Sequence, residues 1–510
     1  MKHFLALLGF CLLSLSLPAQ SVDIIQSRIL DLEGLQLNQT IATEKGVALV
    51  FRKISKSRKS KETVWVLKFL NANFVEKSTL EVSFPMEKKK GFGLQLSKVR
   101  NGVLHTLLYQ NNGTQGKWVE ISLADYSKSE RTVDLPTQYG IQDMLLQGTG
   151  VYFLLKRTPL EPNSDLSTFR TLGLKSGDKT ELAHWDYDEG AMKMISLEAS
   201  SIRYRLRVVE DERSGAVYCL YVFWSNNQYS FVVKKMEGGE VTAEDRLDFE
   251  DNRFVNFDAI STADGRLLVC GTFDTRDATS SGFVKLPVGL FYGWVEQGKI
   301  GELVFKKFHG LENGEDFYRG NFKIEDLQDK DASRRSSCVT TYRKPFSVNG
   351  KYFFPMDIGR TEITGGSSLP TTILLENSYV VQIGAGAEAV KDTKTLSRPD
   401  LNNAKNILSN FRMNIRASTC QQNVNNEVYL LSMVGKYLYA RRLSPDGGEP
   451  QQFEKVFVPG DKDCTFTNPK SLLLQPWLDN SYLLAGMVSY KSAKAKRKRG
   501  FGYRLVKVGL

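Results

Sequence analysis

The chain has 510 residues, 41% of them apolar and 25% charged, a balance that fits a folded globular protein and excludes a disordered or fibrous chain. Its formal charge is +11, which aids solubility and by itself selects no partner. Six cysteines without a CxxC pair exclude a disulfide-built scaffold and give no pattern for a structural zinc site.

Residues 1–19 read as a secretory signal. Lys2 and His3 form a basic head, residues 4–15 form a short apolar run, and Leu17-Pro18-Ala19 offers a cut before Gln20. Cys11 follows the bulky Phe10, which fits a lipid-attachment site poorly. No later run approaches the roughly 18 apolar residues of a membrane helix. The expected product is soluble, without a transmembrane segment, and exported to the periplasm or outside the cell. Cys219 and Cys270 lie in apolar runs and read as buried hydrophobes. Cys338, Cys420 and Cys464 lie in polar surroundings, where export permits a disulfide.

Paired apolar runs bounded by Gly, Asn and Ser then recur down the chain, the pattern of β-hairpins. The pairs are 46–54 with 63–70, 103–110 with 117–123, and 151–156 with 169–174. They continue with 217–224 and 229–233, 266–272 and 290–295, and 352–358 and 371–375. The last two are 427–434 with 437–443 and 482–490 with 501–508. A third short run often follows, as in TLEVSFP, RTVDLP and ELVFKKF. Repeated units of about four strands predict an all-β propeller, because one such sheet cannot cover both its faces alone. Eight hairpins predict eight blades, with seven the alternative if one hairpin is an insertion. The last hairpin leaves no chain for an outer strand, so residues 22–32 (VDIIQSRILDL) are expected to supply it. Residues 20–510 read as one propeller domain with polar insertions at about 311–337 and 391–408.

The stretch LLVCGTFDT, a polar turn, GLFYGWVEQGKI and LVFKKF resembles secreted β-propeller proteins of Bacteroidetes-type bacteria, as does the LPAQ end of the leader. The resemblance implies a fold and an address. Members of that group largely lack an assigned activity, so it transfers no functional residues.

Motifs for chemistry are sparse. His105, His184 and His309 are far apart, with no HExxH and no neighbouring cysteine pair, and read as structural. No GxSxG elbow occurs. Gly384-Ala385-Gly386 lacks the strand–helix context of a dinucleotide loop and reads as a turn, so no cofactor is expected. Asp186/Asp188, Asp329/Asp331 and Asp461/Asp463 lack calcium-loop spacing and read as loop acids, so no metal site is assigned. Thr262-Ala263-Asp264-Gly265 and Ser444-Pro445-Asp446-Gly447 read as ordinary Asp-Gly turns.

Basic runs stand out. Arg52, Lys53, Lys56, Arg58, Lys59 and Lys61 fill the first hairpin turn, and Lys494, Lys496, Arg497, Lys498 and Arg499 fill the last. KKKGFGLQLSKV resembles RKRGFGYRLVKV, although the first reads as an inner strand and the second as the third strand of its unit. Ring closure makes the two turns neighbours, which predicts one basic patch for an anionic glycan, lipopolysaccharide or an envelope protein; nucleic acid is not the expected partner. The functional expectation is an envelope-associated binding or scaffold propeller without catalysis. Its alternative is a carbohydrate-active hydrolase or lyase with acids around the central channel, and a third is a subunit held through 311–337. The channel mouth discriminates: converging acids with an Arg or Tyr in a pocket favour the enzyme, and a plugged or shallow mouth favours the binder.

Overall fold

The computed structural model describes residues 23–32, 34–54, 61–86, 93–110, 113–136, 139–157, 180–197, 202–211, 213–225, 228–249, 252–275, 289–307, 338–342, 345–348, 351–362, 372–383, 392–397, 418–422, 428–434, 437–443, 454–456, 464–466, 473–478, 481–491 and 499–509. Among them every regular element is a strand.

The chain begins with β1 (Asp23–Asp31). The first sheet is β2 (Leu35–Thr43), β3 (Gly46–Lys53), β4 (Glu62–Asn71) and β5 (Glu76–Pro85). The second is β6 (Gly93–Arg100), β7 (Val103–Gln110), β8 (Gln115–Ser122) and β9 (Lys128–Asp134). The third is β10 (Tyr139–Leu146), β11 (Gly150–Arg157), β12 (Thr180–Asp186) and β13 (Met192–Ile195). The fourth is β14 (Ile202–Glu210), β15 (Val217–Ser225), β16 (Gln228–Glu237) and β17 (Glu240–Phe249). The fifth is β18 (Asn252–Ser261), β19 (Leu267–Thr275), β20 (Gly289–Glu296) and β21 (Lys299–Lys307). The sixth holds β22 (Cys338–Tyr342), β23 (Phe346–Val348), β24 (Lys351–Glu362), β25 (Thr372–Ile383) and β26 (Asp392–Ser397). The seventh is β27 (Ser418–Gln422), β28 (Val428–Val434), β29 (Tyr437–Leu443) and β30 (Glu454–Val456). The eighth joins β31 (Cys464–Phe466), β32 (Leu473–Trp477), β33 (Ser481–Lys491) and β34 (Arg499–Gly509) to β1.

All strand pairs within these sheets are antiparallel, and the order is a meander, as in a β-propeller. The predicted closure is present: β1 pairs β34 from Asp23 opposite Gly509 to Asp31 opposite Gly502. Two chain ends thereby share one sheet. The seam to the first sheet is sealed by the Thr40 and Tyr503 hydroxyls, 2.7 Å apart, and by Trp477, which stacks on Phe74 at 5.4 Å and donates to the Gly46 carbonyl.

Position within a sheet explains composition. The second strand is covered on both faces, so β3 carries a continuous apolar run in which Val47 to Phe51 are all buried. The outer strand is covered on one face at most, so β9 reads KSERTVD with Val133 alone buried. Apolar layers join neighbouring sheets, as where Leu104, Leu108, Val119 and Ile121 of the second meet Val50, Trp65 and Leu67 of the first. Each such side chain contributes about 1.5–3 kcal/mol by leaving water.

The eight sheets match the eight predicted hairpins, with two differences. The partner of β11 is β12, not 169–174, which lies outside the described residues. The sequence TELAHWD reaches its apolar part only at Leu182, which hides the strand. The stretch expected as a polar insertion from 391 contains β26, an outer strand paired to β25. Residues 311–337 lie outside the described residues. GLQLSKV (93–99) and RGFGYRLVKV do occupy different places, the first strand of the second sheet and the penultimate strand of the eighth. No helix among the described residues is long and apolar enough to cross a membrane.

Candidate active site at the axial ends of the first strands

First strands of successive sheets touch one another, β2 to β6 to β10 to β14 to β18, with β32 against both β2 and β27. They form the wall of the central channel. Four of them carry a register shift, at Leu37/Gln39, Ile141/Asp143, Arg203/Arg205 and Phe254/Asn256. One extra residue on a strand re-aims the side chains around it, and such bulges concentrate beside active sites. The residue after each shift is polar: Gln39, Asp143, Arg205 and Asn256.

At one end of the channel β6, β10 and β14 finish side by side. Arg100 closes β6, and Asn101 and Gly102 turn the chain at φ 50° and 72°. Two successive positive φ values make the tight hairpin turn that Asn-Gly favours. Glu210 closes β14. The loop after it is held by Asp211, whose carboxylate accepts from Ser261 Oγ at 3.0 Å and from the Arg213 and Ser214 amides. In the third sheet Gln147 donates its side-chain amide to the Gly215 carbonyl at 2.7 Å, fixing the same end.

Arg100 reaches Glu210 across Leu146 of β10. Its Nη1 and Nη2 donate to Oε2 and Oε1 at 2.8 and 2.7 Å, and Nη1 donates also to the Leu146 carbonyl. The partners belong to the second and fourth sheets, which a third separates, so they meet only near the axis. A cavity of about 330 Å³ opens there, lined by Lys98, Val99, Arg100, Asn101, Leu145, Leu146 and Glu210. A second, of about 250 Å³, shares Lys98 and Leu145 and adds Asp143, Tyr152 and Arg207. Lys98 Nζ stands 2.8 Å from Asp143, and Arg207 Nε 3.6 Å from Asp258. Three acids, two arginines and a lysine thus meet on four neighbouring first strands.

Behind this wall, between the second and third sheets, His105 lies 3.4 Å from Glu120. Glu120 accepts from Trp118 Nε1 and Arg131 Nη2, each at 3.1 Å. Burial pushes the His105 imidazole below its ordinary value, against the pull of Glu120. Burial opposes ionisation of Glu120, yet Trp118, Arg131 and His105 together hold its carboxyl low. Tyr187 stacks over His105 at 6.4 Å, and burial raises its phenol, whose oxygen has no hydrogen-bond partner among the described residues. These groups do not line either cavity.

His184 serves packing, as expected. It lies against Tyr152 at 4.6 Å, and a Cβ on Gly150 or Gly239 would collide with its ring. His309 and residues 384–389 lie outside the described residues. Asp186 accepts from the Asp188 and Glu189 amides at 2.8 and 3.0 Å, and Asp264 is bound by Arg266 Nε at 2.8 Å, so both acids shape turns. Asp329, Asp331, Asp461 and Asp463 lie outside the described residues, as does the 444–447 turn. Cys270 is fully buried, and Cys219 is buried as expected. The reading of Cys464 in polar surroundings is corrected, since it is buried with Phe466 and Tyr482 in the eighth sheet.

The predicted basic patch is described only at its base. Arg52 donates to Gln36 Oε1 at 2.6 Å, Lys53 pairs with Glu81 at 3.3 Å, and the Lys61 carbonyl accepts from the Met86 amide. Arg499 sits on β34 opposite Lys491. Lys56, Arg58, Lys59, Lys494, Lys496, Arg497 and Lys498 lie outside the described residues. The axial charges were not singled out from sequence. Arg100 and Glu210 stand 110 positions apart, each at the end of a strand already carrying other polar residues, so nothing in the sequence marks them as a pair.

No family model matches the chain, and no curated protein matches it. Among solved structures it is similar to the polysaccharide lyase Uly1, at 11% identity and a TM-score of 0.43, over 81% of this chain and 89% of that one. An oligogalacturonate lyase in complex with manganese is similar over 95% and 98%, at 10% identity and a TM-score of 0.36. Prolyl oligopeptidase B from Galerina marginata is similar at 9% identity and a TM-score of 0.39, over 90% of this chain and 56% of that one. Likeness at these identities extends to the fold alone. The channel mouth is a pocket in which acids converge with an arginine, the arrangement expected of the enzyme and not of the binder. On that feature the expectation of a propeller without catalysis is corrected in favour of its alternative.

Proposed function

We propose that this chain is a carbohydrate-active enzyme, a lyase or hydrolase, with its site at the channel mouth beside Arg100 and Glu210. The observation that carries the reading is the bidentate Arg100–Glu210 pair in a cavity of about 330 Å³, with Lys98 and Asp143 adjoining. A lyase removes a proton from the carbon next to a sugar carboxylate and expels the glycosidic oxygen. A hydrolase protonates that oxygen and adds water. Both use a side chain that exchanges a proton beside the bound sugar, a role that a carboxyl group can fill, and a cation that holds the sugar in place. Glu210 and Asp143 supply the first, and Arg100 and Lys98 the second. The basic head, apolar run and Leu17-Pro18-Ala19 step of the leader support an activity outside the cytoplasm.

Purified protein incubated with acidic and neutral polysaccharides tests it, by ultraviolet absorbance for an unsaturated product and by reducing ends for either reaction. Turnover of at least one polymer is expected, with Glu210→Gln lowering kcat about 10²–10⁴-fold. No product from folded protein, or full activity in that variant, overturns the reading.

A further inference from the structure

The charges at the channel mouth are unequally anchored. Besides its two bonds to Glu210, the Arg100 guanidinium donates to the Leu146 carbonyl, on a strand end locked by the Asn101-Gly102 turn. Glu210 spends both carboxylate oxygens on Arg100 and on no other described group. Its side chain is 16% exposed and borders the cavity. If Glu210 swings away, Arg100 stays in place, presenting two parallel N–H donors to the cavity.

The Nη1/Nη2 edge of the fork takes one carboxylate in bidentate fashion, so a second reaches that edge only when the first leaves. We infer that Glu210 is a resident stand-in for a ligand carboxylate, and that the site admits a carboxylate-bearing sugar by exchanging Glu210 for that group on Arg100. The inference rests on the channel mouth being the ligand site proposed above, and it adds the substrate class. The exchange replaces one bidentate contact by an equivalent one, so the guanidinium is never left unpaired. Affinity then comes from what the sugar gains elsewhere, and Lys98 and Asn101 line the same cavity with donors suited to hydroxyl and ring oxygens. A neutral sugar has nothing to offer Arg100 and meets a closed ion pair.

Binding alone tests this. Titration calorimetry compares galacturonate and glucuronate oligosaccharides with matched neutral and sulfated ones, on the intact protein, Arg100→Met and Glu210→Gln. The expected result is binding of a uronate oligosaccharide and not of its neutral match, lost in Arg100→Met. Removing the internal competitor should tighten binding in Glu210→Gln by roughly tenfold, because a larger fraction of molecules is then competent. If Arg100→Met fails to fold, Glu210→Gln alone decides. Equal affinity for uronate and neutral sugars, preference for the sulfated sugar, or unchanged or weakened uronate binding in Glu210→Gln overturns the inference. Uronate binding with the expected variant pattern but no turnover keeps it and overturns the catalytic reading. Turnover confined to neutral polymers keeps the catalytic reading and overturns this one.

Discussion

The second strand of each sheet and the first strand beside it have opposite designs. In β15, Val217 to Phe223 are all buried, and the run contains no charge. In β14, one step closer to the axis, Arg207 and Glu210 interrupt the apolar pattern and the register shifts between Arg203 and Arg205. A like contrast in charge sets β7, VLHTLLYQ, against β6, which carries Lys98 and Arg100. Middle strands are covered on both faces by neighbouring sheets, so any unpaired polar group there is costly. First strands have an uncovered edge on the channel and tolerate charge, provided that the charges pair. Distance from the axis therefore sorts residues that hold the ring from residues able to meet a ligand.

The largest effect should separate these two layers. Trp118 is fully buried on β8, packs edge-on against Trp185 at 5.3 Å, and donates to Glu120. Trp118→Ala leaves a cavity between two sheets and should cost about 3–5 kcal/mol, read from the denaturant midpoint. Arg100→Met keeps most of its side-chain volume at a partly exposed site and should cost less than half as much. Equal losses in the two variants would break the division.

How visible this division is in the sequence depends on radius. The hairpins were legible because their strands are long apolar runs ended by Gly, Asn or Ser, and the closing role of residues 22–32 followed from the missing outer strand. An outer strand such as β26 was hard to see, since one wet face leaves DTKTLS with no apolar alternation. The candidate site was not legible. Arg100 and Glu210 look like ordinary charges beside turns until ring geometry places the second and fourth sheets around one axis. The basic turns drew attention because their charges are contiguous, whereas the axial charges come one or two from each sheet.

A smaller effect concerns acid. His105 and His184 both lie between sheets, and burial pushes both below the ordinary 6.5. They stay neutral in the fold and take up protons on unfolding. Their contribution to stability is therefore complete above pH 6.5 and is lost as the pH falls from there through the folded-state values. The melting temperature should start to drop near pH 6.5, and His184→Gln should make that slope shallower while leaving the drop at lower pH. That second decline belongs to carboxylates such as Asp264, held down to about 2 chiefly by Arg266, whose contribution fades as pH falls below 3.8. An unchanged slope in the variant would remove His184 from the inter-sheet layer that the comparison assigns it.

The smallest effect sharpens the comparison at its outer limit. Lys53 and Glu81 pair at 3.3 Å on β3 and β5, with their side chains 54% and 55% exposed. Lys98 and Asp143 pair at 2.8 Å on β6 and β10, at 40% and 59%. Water screens both, and each should contribute no more than about 1 kcal/mol. Lys53→Ala and Lys98→Ala should therefore melt within a few degrees of the unaltered protein. They should differ in binding, because Lys98 borders both cavities while Lys53 belongs to a strand end away from them. Uronate titration of the two variants reads this directly: Lys98→Ala should weaken binding about tenfold or less, as for one exposed contact, and Lys53→Ala should leave it unchanged. Equal weakening in both would mean that the general positive field of the chain attracts the ligand, not the first strands at the axis.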